Sequence, residues 1–171
     1  AHVHFLSRVP SPKIIMNALA EVKPYIIIAV PLIIEKIYKT KVKPVLEKEG
    51  IKFLMKLPVL NQVVLNKVKT ELINAFGGEF YEVIIGGAAF NTEVEAFFKK
   101  MGFPFTVGYG MTECGPLISY CDKSEFVKYS CGKKADPLEL RIDSANPRTI
   151  LGEIQVKGDN VMLGYYKNPK A

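Results

Sequence analysis

FYEVIIGGAAFNTEVEAFFKKMGFPFTVG, residues Phe80–Gly108, contains a complete strand–turn–helix–strand pattern. The apolar run at its start predicts a strand, and the small residues of GGAAFN predict a turn. TEVEAFFKKMG then predicts a helix, and PFTVG predicts a second strand. A connection of this kind joins parallel strands and is almost always right-handed. The stretch therefore predicts an α/β fold, with a mostly parallel sheet flanked by helices.

The residues before this stretch predict further elements of the same fold. Ser11 and Pro12 mark the start of a helix, and Pro24 marks its end. The β-branched run Tyr25–Val30 predicts a strand that is buried on both faces, because it is continuously apolar. A second helix begins at Pro31. Together these elements predict a strand, with a helix on either side of it in sequence.

The middle of the chain predicts mostly helix. Short helical pieces joined by turns are expected over Lys43–Leu60, and a longer amphipathic helix is expected to end at Gly77. In the helix of the opening stretch, Thr92 and Glu95 have the spacing of a capping box, and Gly102 is the expected end. The phenylalanines and methionine of this helix and of the strand after it are expected in the core.

The sequence changes character after Pro116. Short extended segments, LISYC, LELRI and GEIQVKG, are separated there by turns rich in Asp, Asn, Pro and Gly. We therefore predict an α/β subdomain over residues 1–125 and a partial β-rich subdomain over residues 126–171.

The composition narrows the class of protein. A hydrophobic content of 49% over 171 residues is typical of a folded globular chain. The longest apolar run, Tyr25–Ile34, contains a proline and is far below the roughly 20 residues that span a bilayer. Much of the net charge of +6 comes from lysines between Lys36 and Lys69, which is typical of a solvated helix face. An anionic membrane surface is the alternative, and we expect no nucleic-acid partner because no RNA-binding or helix-turn-helix pattern accompanies the lysines.

The cysteines and histidines predict no metal or thiol chemistry. The spacing of Cys114, Cys121 and Cys131 fits neither a disulfide framework nor paired zinc ligands, and it favours a reducing cytoplasm. His2 and His4 have no third ligand nearby in sequence, so we expect ordinary strand residues. Because no histidine lies near Cys114 in sequence, we expect it to be a buried or pocket-lining residue rather than a nucleophile.

Two glycine-rich loops follow the two strands of the opening stretch. GGAAF leaves the first strand, and GYGMTE leaves the second. Because parallel strands end at the same edge of a sheet, where open α/β sheets bind ligands, we expect the loops to meet. The candidate ligand-binding residues are Gly86, Gly87, Ala88, Ala89, Gly108, Tyr109, Gly110, Met111, Thr112 and Glu113.

The residue types in these loops suit a nucleotide. The small residues of the first loop let backbone N–H and C=O groups approach the edge of a base. Tyr109 offers an aromatic face, Thr112 a hydroxyl for a phosphate oxygen, and Glu113 a carboxylate for Mg²⁺. By spacing alone, an ATP site and two ordinary turns are equally favoured, and neither loop has the Walker or Rossmann glycine spacing.

Three ordered stretches resemble the adenylate-forming acyl-CoA synthetases. Val83–Ser119 resembles the core of that family, in which a Gly-Ala-Ala turn precedes a Tyr-Gly-Met-Thr-Glu motif. Gly152–Ala171 is similar to the stretch that follows in the family, and Ala20–Lys39 resembles the upstream strand and helix of the long-chain fatty acid members. The resemblance implies an internal part of the large N-terminal domain, with one α/β subdomain and the start of a small β-barrel-like subdomain.

The resemblance also implies a two-step reaction. A fatty acid attacks the α-phosphate of Mg·ATP to give an acyl-adenylate and pyrophosphate, and the thiol of coenzyme A then displaces AMP. Gly87–Ala89 would line the adenine and acyl pocket, and Tyr109 would pack on the adenine. Thr112 and Glu113 would be the catalytic residues, with Thr112 on phosphate and Glu113 holding Mg²⁺.

The resemblance further implies parts that these residues do not contain. A phosphate loop, an Asp that binds ribose, and a C-terminal domain with a catalytic Lys are expected in missing N-terminal and C-terminal parts of the same polypeptide. We therefore expect residues 1–171 alone to form no thioester. Two alternatives remain open: a non-catalytic nucleotide-binding or acyl-binding module that reaches membranes through its basic helices, and a ligase for aryl or medium-chain acids. We expect a cytoplasmic location, with peripheral membrane contact as a variant of it.

Overall fold

The computed structural model describes residues 2–4, 11–168 and 170, apart from the side chain of Pro12. The chain forms two compact units, Ala1–Phe105 and Thr106–Ala171. The subdomain boundary that the sequence predicts between residues 125 and 126 stays a prediction, because a compact unit of this size need not be an independent domain.

The first unit consists of helices packed with short strands. Its helices are Pro12–Val22 (α1), Pro31–Ile37 (α2), Lys43–Leu46 (α3), Glu49–Lys56 (α4), Pro58–Ala75 (α5) and Thr92–Met101 (α6), and a π-helical turn, Tyr38–Val42, connects α2 to α3. Its strands are Ile26–Ala29 (β1) and Glu82–Ile85 (β2), and a third strand, Phe105–Val107 (β3), begins at its last residue. The predicted order of helices and strands is confirmed.

The start of α1 follows the sequence prediction, and the start of α6 does not. The Ser11 hydroxyl accepts a hydrogen bond of 3.3 Å from the Ile14 N–H, as expected of an N-cap. The predicted capping box at Thr92 is wrong, because the cap of α6 is Asn91, whose Oδ1 accepts from the N–H groups of Glu93 and Val94 at 3.0 and 3.1 Å. The backbone is extended at Asn91 and helical from Thr92 onward, so the residue before the predicted cap satisfies the free N–H groups. Gly102 ends α6 with a φ of 67°, as predicted.

The parallel sheet is confirmed by the pairing of β1 with β2, whereas the parallel orientation predicted for β2 and β3, the two strands of the opening stretch, stays a prediction. β1 and β2 are parallel, with a register that runs from Ile26 opposite Glu82 to Ala29 opposite Ile85, in a sheet of order β1-β2-β3. The prediction that β1 is buried on both faces is wrong, because Ile27 is 7% exposed and Ile28 is 79% exposed. β1 lies at one edge of this sheet, and the described residues pack against the face that carries Ile27. A continuous apolar run indicates a strand but does not establish that both of its faces are covered.

Aromatic side chains form much of the core of the first unit. Phe98 of α6 is 1% exposed, and its ring lies 4.9 Å from the ring of Phe103, 5.9 Å from that of Phe105 and 6.3 Å from that of Phe90, centroid to centroid. Met101 is also buried. These contacts confirm the core role predicted for this segment, and they join α6 to the residues on either side of it.

The second unit is built of short antiparallel pairs. Tyr109–Gly110 (β4), Leu117–Tyr120 (β5) and Lys133–Lys134 (β6) form one sheet, and Glu139–Asp143 (β7) and Glu153–Lys157 (β8) form another. A single 3₁₀ turn, Thr112–Cys114, lies between β4 and β5. None of the described helices combines the length and the apolar character needed to cross a bilayer.

Candidate functional site

The first candidate loop is an exposed turn between two buried anchors. Ile85 at the end of β2 and Phe90 are buried, whereas Gly87, Ala88 and Ala89 are exposed. Gly87 has a φ of 86°, a left-handed conformation that a residue with a Cβ adopts only with strain. The turn therefore presents small residues to its surroundings, and the contact with a base that the sequence predicts for this loop stays a prediction.

The end of this loop is tied to α2. The Asn91 N–H donates a hydrogen bond of 3.0 Å to Glu35 Oε1. The start of the loop is tied to β1, because the Gly86 N–H donates to the Ala29 carbonyl at 3.1 Å. The exposed residues Gly87–Ala89 thus lie between two residues whose backbones are held by hydrogen bonds, Gly86 and Asn91.

The second candidate loop is a tight connection between β4 and β5. The Met111 N–H donates to the Pro116 carbonyl at 2.8 Å, and the Cys114 N–H donates to the Met111 carbonyl at 3.0 Å. Cys114 is buried, whereas Met111 and Thr112 are exposed. The turn therefore places the Thr112 hydroxyl at the surface and uses Cys114 as its buried anchor, which agrees with the non-nucleophilic role expected of that cysteine.

Gly110 is required by the close approach of the two strands. A Cβ at this position would lie 2.0 Å from the Pro116 carbonyl oxygen, which is a backbone atom that cannot rotate away. We expect Gly110→Ala to destabilise the protein by about 1–3 kcal/mol, because the two strands must move apart to admit the methyl group. The midpoint of urea unfolding of the complete protein measures this cost.

Gly50→Ala is the matched control for that substitution. Gly50 lies in α4, and nothing lies within 4 Å of a Cβ built there. Because alanine favours helix, we expect this variant to be as stable as the unsubstituted protein or more stable by roughly 0.5–1 kcal/mol. Equal unfolding midpoints for the two alanine variants would contradict the packing role of Gly110.

The carboxylate of Glu113 is held by a tyrosine from a distant part of the chain. The Tyr165 hydroxyl donates a hydrogen bond of 2.6 Å to Glu113 Oε1. This bond lowers the pKa of Glu113 below its ordinary value, and the backbone N–H of Glu113 itself lowers that pKa further. The pKa of Tyr165 is raised by the same hydrogen bond and by the negative charge of Glu113. Glu113 is therefore an ionised carboxylate at neutral pH, with Tyr165 as a neutral donor.

Two more contacts from the same distant segment fix the backbone of the turn. The Met162 N–H donates to the Glu113 carbonyl at 2.8 Å. The Asn160 amide donates to the carbonyl of Cys114, and it lies 3.4 Å from the carbonyl of Leu117. We call residues 160–165 the clasp, because they contact both the backbone and the carboxylate of the Thr112–Cys114 turn.

Sequence reasoning did not identify the clasp residues as part of the site. Tyr165 is 52 positions from Glu113, and Asn160 is 46 positions from Cys114. Helical or strand periodicity carries no information on contacts at such separations. Two signals were available: Asn160 and Tyr165 are hydrogen-bonding residues, and both lie in Gly152–Ala171, which resembles a stretch of the synthetase family.

The described residues contain no ready-made metal centre. They include no group of three or more His, Cys, Asp or Glu side chains placed to hold an ion. His2 and His4 are described, and their rings stack 4.5 Å apart, but residues 2–4 form no strand, so the strand predicted for these histidines is not found there. The structure brings Thr112, Glu113 and Tyr165 into one short region. The expected meeting of this region with Gly86–Ala89 stays a prediction.

Comparison with known proteins gives a family match over most of the chain. The model of the AMP-binding enzyme family matches residues 1–166. Among curated proteins, the chain is 31% identical over 127 residues to 4-coumarate-CoA ligase 1 of Narcissus pseudonarcissus, a match that covers 67% of this chain and 23% of that protein. It is 26% identical over 185 residues to long chain acyl-CoA synthetase 4 of Arabidopsis thaliana, covering 91% of this chain and 27% of that protein. The chain thus spans about a quarter of the length of these relatives.

A solved structure has the same fold. The o-succinylbenzoate-CoA synthetase of Bacillus subtilis, in complex with ATP and a magnesium ion, superposes with a TM-score of 0.58. The identity is 19%, and the match covers 92% of this chain and 27% of that one. At this identity the likeness concerns the fold, and it agrees with the parallel sheet flanked by helices that the sequence predicts.

Proposed function

Since the chain belongs to the AMP-binding enzyme family, we propose that the protein containing it activates a carboxylic acid with Mg·ATP and transfers the acyl group to coenzyme A. The observation that carries the proposal is the turn after β4. It presents the Thr112 hydroxyl at the surface and carries Glu113, whose ionised carboxylate accepts a hydrogen bond from the Tyr165 hydroxyl. A hydroxyl and a carboxylate suit a phosphate and its metal ion, which are the groups that carry charge during adenylation.

The residues present fit magnesium in one particular way. Mg²⁺ is commonly bound in ATP-using enzymes through one or two carboxylates together with the substrate phosphates, rather than by an all-protein cage. A single ionised carboxylate, without a cluster of further ligands among the described residues, matches that pattern. Glu113 would hold the ion. When bound, the ion would supply charge neutralisation at the phosphates.

The roles proposed for the remaining site residues follow from their match to the Gly-Ala-Ala turn and the Tyr-Gly-Met-Thr-Glu motif of the family. Tyr109 would pack on the adenine ring, and Thr112 would donate to a phosphate oxygen. Gly87–Ala89 would line the adenine and acyl pocket, and the exposed backbone of that turn supports contact with a base edge. Thr112 and Glu113 are thus the proposed catalytic residues of the complete protein.

The proposed acid is a long-chain fatty acid. Two features support it: the resemblance of Ala20–Lys39 to the long-chain members, and a long-chain relative that aligns over more of this chain than the 4-coumarate ligase does. An aryl acid is the second candidate, because the 4-coumarate ligase has the higher identity of these two relatives.

A panel of acids tests this proposal. The complete protein is incubated with Mg·ATP, coenzyme A and, in turn, palmitate, octanoate and 4-coumarate, and both pyrophosphate and acyl-CoA are measured. We expect both products to be highest with palmitate. Faster turnover of 4-coumarate would replace the long-chain assignment with an aryl one, whereas no pyrophosphate with any acid would favour a non-catalytic binding module. Residues 1–171 alone should give no acyl-CoA.

We propose a cytoplasmic location, with peripheral membrane contact through α4. The spacing of Cys114, Cys121 and Cys131 fits no disulfide framework, which suits a reducing compartment. Phe53 of α4 is exposed beside lysines at positions 52 and 56, and an apolar side chain flanked by cations suits an anionic lipid surface.

A further inference from the structure

The clasp makes an unusual set of contacts with the turn that carries Glu113. The hydrogen bonds that Asn160 and Met162 donate to this region go to backbone carbonyls, at Cys114, Leu117 and Glu113. Tyr165 contacts a side chain instead, and its hydroxyl lies 2.6 Å from Glu113 Oε1. The hydrogen bonds of Asn160 and Met162 therefore hold the backbone of the turn. The hydrogen bond of Tyr165 fixes the direction of the carboxylate, which the backbone contacts do not control.

The carboxylate of Glu113 would otherwise be free to rotate. Its side chain has three torsions and lies on a short turn, and among the described residues it forms no ion pair with a lysine or arginine. A hydrogen bond from a neutral hydroxyl to an ionised acceptor is stronger than one between neutral groups. It restricts the side chain without neutralising it, so the negative charge of the carboxylate stays available to a cation.

We propose that Tyr165 is a positioning residue, which orients the Glu113 carboxylate toward the magnesium ion of Mg·ATP. This inference rests on the proposed function. Tyr165 donates to Oε1 of the carboxylate, and Oε2 would remain available to hold the ion. Residues that orient a metal ligand in this way commonly change metal affinity by roughly 10-fold to 100-fold when they are removed. The hydroxyl alone carries the role, because the aromatic ring of Tyr165 is not needed for the hydrogen bond.

Tyr165→Phe in the complete protein tests the role of the hydroxyl. Calorimetric titration is performed without an acid substrate, so that no turnover occurs, first with ATP and Mg²⁺ and then with ATP and a chelator. We expect the variant to bind Mg·ATP about tenfold more weakly and to bind metal-free ATP unchanged. The thermal midpoint of the nucleotide-free protein should change little, because Tyr165 is 48% exposed and keeps its ring. An equal loss for both forms of ATP, together with a lower thermal midpoint, would indicate a purely structural contact and overturn the proposal.

Tyr166→Phe is the matched control. Tyr166 is the next residue, is 88% exposed, and has its ring under the Lys167 ammonium rather than in contact with the site. We expect it to bind both forms of ATP as the unsubstituted protein does. If Tyr165→Phe behaves like this control while Glu113→Gln weakens Mg·ATP binding, the role of Tyr165 is wrong and that of Glu113 stands.

A double substitution separates this inference from the proposed function. Combining Tyr165→Phe with Glu113→Gln should weaken Mg·ATP binding no further than Glu113→Gln alone, because both changes act through one carboxylate. Additive losses would mean that Tyr165 acts on something other than Glu113. If Glu113→Gln leaves Mg·ATP binding unchanged, the role proposed for Glu113 fails first, and that of Tyr165 fails with it.

Discussion

Replacing Glu113 with glutamine in the complete protein is expected to reduce pyrophosphate release by about two to three orders of magnitude. Glutamine keeps the size of the side chain and can still accept the hydrogen bond from the Tyr165 hydroxyl. It removes the negative charge, which is the property that a magnesium ligand needs. Losing one preorganised electrostatic contact to a reacting group typically costs this much in rate. The measurement is the rate of pyrophosphate release with saturating acid over a range of Mg²⁺ concentrations.

Glu93→Gln provides the control for a change of charge alone. Glu93 is an exposed carboxylate in the first turn of α6. Its negative charge interacts favourably with the helix dipole there, and no role in catalysis is proposed for it. We expect its pyrophosphate release to match that of the unsubstituted protein. Unchanged turnover in Glu113→Gln would remove Glu113 from the mechanism, and an equal fall in both variants would indicate a general effect of net charge.

The sequence was sufficient for the features that depend on local chemistry. Ser11 begins α1 because its hydroxyl caps a free N–H group three residues away. Gly102 ends α6 because a glycine adopts the left-handed conformation that a helix end requires. That β1 belongs to a parallel sheet was also predictable, since a short and continuously apolar run is typical of a strand in such a sheet. The sequence did not determine which of two neighbouring residues caps α6. Asn91 and Thr92 both have side chains suited to an N-cap, and the backbone conformation selects Asn91.

The features that the sequence missed depend on contacts between distant residues. Whether Ile28 is buried depends on what packs against β1. The sequence shows the same apolar side chain whether that face of the strand is covered or exposed. The hydrogen bond between Tyr165 and Glu113 arises because the chain folds back over dozens of residues. The motif could therefore identify Glu113 as a candidate, but it could not reveal the residue that orients its carboxylate.

The packing around Phe98 connects the stability of the first unit to the first candidate loop. Phe98 is almost fully buried in α6, and the Phe90 ring that it contacts at 6.3 Å is the anchor at the end of the Gly86–Ala89 turn. We expect Phe98→Ala to destabilise the complete protein by about 3–5 kcal/mol, because the substitution removes a large apolar side chain and leaves a cavity. The midpoint of urea unfolding measures this loss.

Phe53→Ala is the control that makes the Phe98 result interpretable. The same atoms are removed, but Phe53 is 64% exposed, so we expect a change of no more than roughly 0.5 kcal/mol in the free energy of unfolding.

Phe98→Ala should also speed amide hydrogen exchange at residues 86–91, since the anchor Phe90 loses a ring that it packs against. Phe53→Ala should leave exchange there unchanged. Faster exchange without a loss of stability would mean that Phe98 supports the loop but not the core. A loss of stability with unchanged exchange would mean that Phe105, whose ring lies 6.1 Å from that of Phe90, is sufficient to hold the turn.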